Sequence, residues 1–281
     1  TDDKYISYQW ALENNKNNGG KENCDINPIQ TNSDKEKVIA VIDSGVDYNH
    51  ADLANVMWEN PYNNEELPGK HGYDFVNDDN DPMDDLGHGT HVAGIIAAES
   101  NNGQGVSGGV MGASNIKIMA LKCLNNEGAM FNALDAYNYI YKAQQLGVNI
   151  IAINNSWSGK VKPNEVFPEG SEVVRELLEP IIDLVGENGA LSVCSAGNDR
   201  LEIDSNGYCT DPIIGKQLCY PLGLNSDYIV AVAASNEDDE LVTVSSRELE
   251  ISRDGEILNK TVERKTVVIN PISAEVLEGN I

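Results

Sequence analysis

Long apolar runs and basic residues are scarce in this sequence. No apolar run reaches the roughly 18 residues that a membrane-spanning helix needs, so we expect no transmembrane segment. Only 19 residues are Lys or Arg, against 45 Asp and Glu, and the net charge is −26. This acidic excess disfavours nucleic acid and anionic membranes as partners, and it supplies carboxylates that hard cations prefer. We expect a globular, monomeric protein.

Cysteine is also rare, and its spacing excludes two kinds of site. The five cysteines fit neither a zinc site nor a dense disulfide scaffold. Cys209 and Cys219 flank a short polar loop and could pair in an oxidising compartment. Cys123 and Cys194 lie in apolar, strand-like runs, which predicts buried thiols. No signal peptide is visible at Thr1, so a secreted protein would be represented here after processing.

Short apolar, β-branched runs predict strands that are buried on both faces. These runs cover residues 38–42, 116–124, 148–153, 190–195 and 228–234. Helix-like segments lie between them at 91–99, 128–146 and 171–185, and Pro180 is expected to kink the last one. This alternation predicts an α/β fold with a doubly wound, mostly parallel sheet and helices on both faces.

The residue composition and hydrophobic pattern divide the chain into three parts. Residues 1–37 are polar and Asn-rich, which suggests a strap laid over a core, and residues 38–246 carry the alternating pattern. Residues 247–281 alternate polar and β-branched side chains, and Asp254-Gly255 is a turn signal. We expect antiparallel hairpins in this last part, or the start of an insertion.

Polar residues follow the predicted strands at their carboxyl ends. Asp43 ends the first strand, and the segments 154–157 and 196–198 follow two later ones. In a parallel sheet such ends meet at one edge, where ligands bind. His88 lies between two glycines where an acidic loop gives way to an apolar segment, so its imidazole is expected at the start of a helix. Taken alone, this histidine could simply cap the helix.

Together, these residues form the set that acyl transfer uses. A buried carboxylate orients an imidazole, the imidazole activates a hydroxyl as general base, and an amide stabilises the oxyanion. Asp43, His88 and Asn198 supply these three groups, with His88 lying 45 residues after Asp43. The alternatives for Asp43 and Asn198 are a cap and a turn residue.

Four motifs, in this order, resemble the subtilase family of serine peptidases and most of all its thermitase-like branch. They are residues 43–47 with His50 and Asp52-Leu53, residues 88–94, residues 155–159 and residues 195–199. The resemblance extends from about residue 8 to residue 246. It implies that Asp43 orients His88, that His88 is the general base and that Asn198 is the oxyanion donor. It also implies a subtilisin-like fold and a secreted or extracellular enzyme.

The same resemblance implies a cleft for an extended polypeptide substrate. One wall would pair with the substrate backbone by β-augmentation. This wall comprises Ser156, Trp157, Ser158 and Gly159, and Gly128 and Ala129 resemble the opposite edge. Trp157 could alternatively be a plain core aromatic residue.

The family's nucleophile is the feature that this sequence does not match. In the family, the serine lies in a Gly-Thr-Ser-x-Ala turn that enters a helix, and no such motif occurs here. Ser273 lies at about the right distance but lacks the preceding glycine and the small residues of that helix entry. The nucleophile is therefore unknown.

Three explanations for this departure stay open. The serine could be encoded downstream of an interrupted domain, which would leave a serine endopeptidase whose domain is incomplete here. The chain could be an inactive relative, a pseudoprotease that binds peptides or acts as a scaffold. A misassembled product that does not fold stably is the third explanation, since omitting the family's C-terminal helices would expose one face of the sheet.

Calcium is the cofactor that the resemblance implies. The acidic loop between the aspartate and histidine motifs resembles the second calcium site of the thermitase-like branch, although a solvated loop is the alternative. Its predicted ligands are Asp74, Asn77, Asp79 and Asp81, with a backbone oxygen near Met83. A second predicted site combines the loop 99–106 with Asp52, Asn101 and Asp2.

Overall fold

The fold described here is a computed structural model of the 281-residue chain. It describes residues 2–6, 9, 12, 35–111, 113–124, 129–163, 170–199, 201–234, 246–251 and 257–262. Within these ranges, no helix is long and apolar enough to cross a membrane.

Strands and helices alternate along the chain through most of the described residues. In order, the elements are β1 (Lys37–Asp43), β2 (Gly72–Asp74), α1 (His88–Ala97), β3 (Ile116–Lys122), α2 (Ala129–Gln145), β4 (Ile150–Asn155), β5 (Gly159–Val161), α3 (Gly170–Glu187), β6 (Leu191–Ser195), β7 (Tyr208–Asp211), β8 (Gly215–Tyr220), β9 (Ile229–Val232), β10 (Ser246–Ile251) and β11 (Ile257–Val262). A short 3-10 helix, Ala54–Val56, follows β1.

The central sheet has six strands in the order β2–β3–β1–β4–β6–β9, and every neighbouring pair is parallel. Successive residues of β1 point to opposite faces, as in any strand. Ala40 and Ile42 pack in the core that α2 and α3 cover, whereas Ile39 and Val41 pack in the core on the side of α1. Both faces of the sheet are therefore covered by helices, which confirms the predicted doubly wound α/β fold.

Helix α1 begins earlier than the predicted segment 91–99. Its first residue is His88, and the preceding Gly87 has a left-handed φ of 86°. The carboxylate of Asp84 accepts hydrogen bonds from the N–H groups of Gly87 and Thr90, so it satisfies donors that a helix leaves unpaired at its start. Further along the chain, α3 runs through Pro180 as one helix.

A second, three-stranded sheet with the order β5–β8–β7 was not predicted. Its strands pair antiparallel, and in it the Sγ atoms of Cys209 and Cys219 lie 2.7 Å apart. Cys123 and Cys194 are buried, as expected. Beyond residue 245, β10 and β11 form an antiparallel pair, as predicted, while Asp254-Gly255 lies outside the described residues.

Candidate active site

The carboxyl ends of β1, β4 and β6 meet at one edge of the central sheet. These strands are adjacent and parallel, and they end at Asp43, Asn155 and Ser195. Asn155 is fully buried, and its Nδ2 donates to the hydroxyl of Tyr137, which donates in turn to Ser192. These buried hydrogen bonds connect the end of β4 to α2 and to β6.

Asp43 and His88 form a hydrogen-bonded pair at this edge. The Nδ1 atom of His88 lies 2.7 Å from Oδ1 of Asp43. Asp43 is fully buried, whereas a third of the His88 side chain is exposed. Burial raises the pKa of Asp43, although hydrogen bonds from His88 and Ser44 lower it in part. With Nδ1 engaged, Nε2 is the ring nitrogen left to exchange a proton with a bound group.

Ser44 and Asp84 link the strand end to the helix that carries His88. The hydroxyl of Ser44 donates to Asp84 at 2.9 Å and accepts from the N–H of Gly89 at 2.9 Å. Asp84 also accepts from the hydroxyl of Thr90 at 2.6 Å. These contacts fix His88 relative to Asp43. This role of Asp84 was not predicted, although an aspartate just before a helix start is a capping signal.

Two glycines allow the strand end and the helix to approach each other. A Cβ atom on Gly89 would lie 2.1 Å from the carbonyl oxygen of Gly45 and 3.0 Å from Cβ of Asp43. Gly45 itself has a φ of 105°, and a Cβ there would lie 2.6 Å from the carbonyl oxygen of Pro82. A side chain at position 89 would push the start of α1 away from Asp43, and one at position 45 would displace residues 82–84.

Asn198 lies just beyond β6, in a bend, and is exposed. Its neighbour Gly197 approaches the predicted cleft wall, since a Cβ on Gly197 would lie 3.4 Å from Oγ of Ser158. A shallow cavity lies between these segments. Its lining includes Ser158, Gly197 and Cys219, together with Lys160 and Asp199, which form an ion pair.

The predicted cleft wall leads directly into strand β5. The strand begins at Gly159 and pairs along one edge with β8, and in the described part of the chain no strand pairs with its other edge. Trp157 is 8% exposed and packs edge-on against Tyr220, so it is a core residue at the base of the wall. Ser156 accepts a hydrogen bond from Asn154. Ala129 is the first residue of α2, and Gly128 and Ser273 lie outside the described residues.

The carboxylates of the acidic loop 74–85 accept hydrogen bonds from neighbouring groups. Asp74 is buried, and its Oδ1 accepts two backbone N–H groups while its Oδ2 faces Asn77 and Lys122. Asp81 accepts from the hydroxyl of Tyr48, and Asp79 accepts from the N–H of Asp81. The described residues contain no group of three or more His, Cys, Asp or Glu side chains that could hold a metal ion.

Two buried carboxylates, those of Asp52 and Asp3, contact the loop 99–106. Asp52 accepts from Nδ2 of Asn102 at 2.7 Å and from the N–H of Val106 at 2.9 Å. Asp3 accepts from the N–H groups of Asn101 and Asn102, both at 3.1 Å. The side chains of Asn102 and Asp3 thus make these contacts. They are the sequence neighbours of Asn101 and Asp2, the predicted calcium ligands. The left-handed φ of Asn101, 64°, turns the chain so that Asn102 reaches Asp52.

Comparison with known proteins places these features in a family. Residues 34–264 match the Subtilase family. The cell wall-associated protease of Bacillus subtilis (strain 168) is 42% identical over 128 residues, which are 43% of this chain and 13% of that protein. The thermophilic serine proteinase of Bacillus sp. (strain AK1) is 32% identical over 197 residues, which are 69% of this chain and 37% of that protein. The chain therefore spans less than half the length of either relative.

A solved structure shares the fold. The epidermin leader peptide processing serine protease of Staphylococcus aureus superimposes with a TM-score of 0.57 at 22% identity, covering 86% of this chain and 55% of that one. At this identity the likeness shows the fold alone. The family match, by contrast, includes the strand end at Asp43, the helix start at His88 and the segment around Asn198. The chain belongs to the subtilase family of serine peptidases.

Proposed function

We propose that this chain provides the acid–base half of a serine endopeptidase that cleaves extended polypeptides. The observation that carries the proposal is the 2.7 Å hydrogen bond between buried Asp43 and partly exposed His88. A buried carboxylate holds the imidazole in one tautomer and stabilises the imidazolium ion that forms when a hydroxyl gives up its proton. Nε2 of His88 accepts that proton and later returns it to the leaving amine.

Two further roles, stabilising the oxyanion and binding the substrate backbone, are proposed from the positions of Asn198 and β5. Asn198 follows the end of β6, two strands from β1, and its amide N–H₂ group would donate to the oxyanion of the tetrahedral intermediate. The unpaired edge at β5 supports binding of a substrate backbone by strand addition.

A fluorophosphonate probe tests the reaction, because it labels only a serine that a base has activated. We expect the intact gene product to be labelled, and peptide mapping to place the label outside these 281 residues, since they contain no Gly-Thr-Ser-x-Ala motif. Labelling at Ser273 would contradict this assignment. His88→Ala should abolish labelling.

The missing motif also favours a second candidate function, a pseudoprotease that binds peptides without cleaving them. Absence of probe labelling in the intact gene product, together with retained binding of an extended peptide, would support this alternative. Loss of that binding in a variant with a proline on the β5 edge, Lys160→Pro, would place the peptide on this strand.

We also propose that the loop 99–106 binds calcium. Asp3 and Asp52 are each 3% exposed, and among the described residues neither carboxylate forms an ion pair with Lys or Arg. Buried carboxylates without a counter-charge are costly, so a hard cation fits them. Asp3, Asp52 and Asn102 would hold the ion together with backbone carbonyl oxygens. Bound calcium would tie the N-terminal residues to the domain.

A further inference from the structure

A lysine lies within the acidic loop for which the resemblance implies calcium. Lys122 is the last residue of β3, and its side chain is 6% exposed. Its Nζ atom donates to the carbonyl oxygen of Met83 at 3.0 Å and to the carboxylate of Asp85 at 3.0 Å. Oδ2 of Asp74 is 3.4 Å away. The ammonium group thus contacts one carbonyl and two carboxylates, the kinds of oxygen that a bound cation would take.

The oxygens of this loop are already used by hydrogen-bond donors. Both oxygens of Asp74 accept bonds, at 2.7 Å and 2.9 Å from backbone N–H groups and at 2.8 Å from Nδ2 of Asn77. Tyr73 and Tyr48 donate their hydroxyls to Asp78 and Asp81. Calcium needs six to eight oxygen ligands, and a positive charge next to Asp74 repels it. The loop does not fit calcium.

Lys122 is suited to stay charged at this position. Its Nζ atom lies 3.0 Å from the carboxylate of Asp85 and 3.4 Å from that of Asp74. A buried lysine is stable only when its charge is paired and its donors are used. Both conditions hold here.

The contacts of Lys122 reach the candidate active site through one intermediate residue. Met83 and Asp85, which Lys122 binds, are the two neighbours of Asp84. Asp84 accepts from Ser44, from the N–H of Gly87 and from Thr90 at the start of α1. Fixing residues 83–85 therefore fixes the acceptor that sets the start of the helix bearing His88.

We propose that the ammonium of Lys122 is the built-in cation of the loop 74–85, and that it takes the structural role of a calcium ion there. Lys122 is on this basis a positioning residue for His88, acting through Asp84. The structural half of the proposal stands without the proposed function, because it concerns only how the loop is held. The positioning half rests on His88 being the general base.

Hydrogen exchange measured by mass spectrometry tests the structural half in the intact protein. In the Asp52→Asn background, which lacks the calcium proposed for the loop 99–106, peptides covering 75–87 should exchange at the same rate in calcium and in a chelator, because no metal holds them. In Lys122→Met, which keeps the length of the side chain but removes its charge, their exchange should rise at least about tenfold. Lys122→Arg keeps a charge and should restore most of the protection.

Lys70→Met is the matched control. Lys70 forms an ion pair with Glu59 at 2.8 Å, but both side chains are more than half exposed, so its loss should leave the loop unchanged. If Lys122→Met does not fold, Asp85→Asn removes a single, exposed partner and should raise loop exchange to a smaller extent. Faster loop exchange of Asp52→Asn in chelator would overturn the proposal, and so would wild-type exchange in Lys122→Met.

NMR signals of the His88 ring test the positioning half of the proposal. We expect Lys122→Met to weaken or broaden the low-field Nδ1–H signal that the bond to Asp43 produces, and Lys122→Arg to keep it. An unchanged signal in Lys122→Met alongside a loosened loop would overturn the positioning role. Neither measurement requires proteolysis, so a failure of the proposed function would be seen separately.

Discussion

At the residue scale, the burial of Asp43 determines how costly its carboxylate is to ionise. Its carboxylate is fully buried, Oδ1 accepts from His88 and from the N–H of Ser44, and Oδ2 has no hydrogen-bond partner among the described residues. A buried carboxylate with so few donors is costly to ionise, which is why its pKa is raised. The hydrogen bond from His88 offsets part of this cost.

Asp43→Asn should therefore impair catalysis much more than folding. The amide keeps the shape of the side chain but cannot stabilise the imidazolium ion, and we expect kcat of the active gene product to fall by about 10⁴-fold. Peptide hydrolysis measures this, with thermal unfolding as the check on the fold. A loss smaller than about tenfold, which is only about 1.4 kcal/mol in transition-state stabilisation, would show that Asp43 does not orient the base.

Asp84 should make a measurable contribution to acid stability. Burial raises its pKa, but hydrogen bonds from Thr90, Gly87 and Leu86 outweigh burial, and the pKa lies below the ordinary value of 3.8. Because the folded state holds the charged form, this stabilisation is complete above 3.8 and is lost as the pH falls through the folded pKa. Asp84→Asn should be less stable than the parent at neutral pH, and the difference should narrow under acid.

Urea unfolding at several pH values measures this difference. Asp227→Asn is the control, because Asp227 is exposed and should leave the pH dependence unchanged. A gap between Asp84→Asn and the parent that is constant down to low pH would contradict the assigned hydrogen bonds.

At the element scale, the hairpin of β7 and β8 brings two thiols together. Cys209 and Cys219 are buried, and their Sγ atoms are 2.7 Å apart. A disulfide oxidant such as oxidised glutathione can accept the two electrons and two protons that leave the thiols when a disulfide forms. The closed loop is short, so we expect stabilisation of about 2 to 3 kcal/mol.

Thermal unfolding before and after oxidation, with peptide mapping of the cross-link, checks this expectation. Cys209→Ser should show neither the cross-link nor the rise in Tm. Since Cys219 also lines the cavity beside Ser158, oxidation should rigidify one wall of that cavity. Recovery of both thiols unmodified after oxidation would refute the pairing.

The elements also show which features the sequence could predict. Runs such as 38–42 are apolar and β-branched over their whole length, so burial on both faces follows from composition. The sheet of β5, β7 and β8 was missed because β5 spans only Gly159–Val161 and β7 only Tyr208–Asp211, which is too short for a periodicity to appear. Asp43 and His88 were identified because their motifs adjoin strongly patterned elements.

Lys122 was missed for a different reason. A lysine at a strand end ordinarily extends into solvent, and only the tertiary fold brings the loop 74–85 over its ammonium. The sequence alone shows the negative charges of this loop but not the positive charge that lies beside them in the fold. The acidic residues therefore suggested a metal ion.

At the scale of the whole molecule, the N-terminal residues are connected to the domain through the loop 99–106. The N–H of Tyr5 donates to the carbonyl oxygen of Gly105, and Gln9 exchanges two hydrogen bonds with Ser107. Calcium at Asp3 and Asp52 would strengthen this connection. It would stabilise the folded state by about 2.7 kcal/mol at a hundredfold excess over its Kd.

A chelator should therefore lower the Tm by about 5 to 10 °C. Asp52→Asn should have a lower Tm that no longer responds to the chelator, whereas Lys70→Met should respond like the parent. A Tm that is independent of chelator in the parent protein would exclude calcium from both loops.

The contact between Gly45 and Gly89 has a consequence for how this sequence can vary. One methyl group at position 89 would need the space that a backbone oxygen and the aspartate's own Cβ now occupy. The imidazole would move away from its carboxylate even though neither reacting side chain had been altered. Two positions that have no side chain thus constrain the distance between the imidazole and its carboxylate.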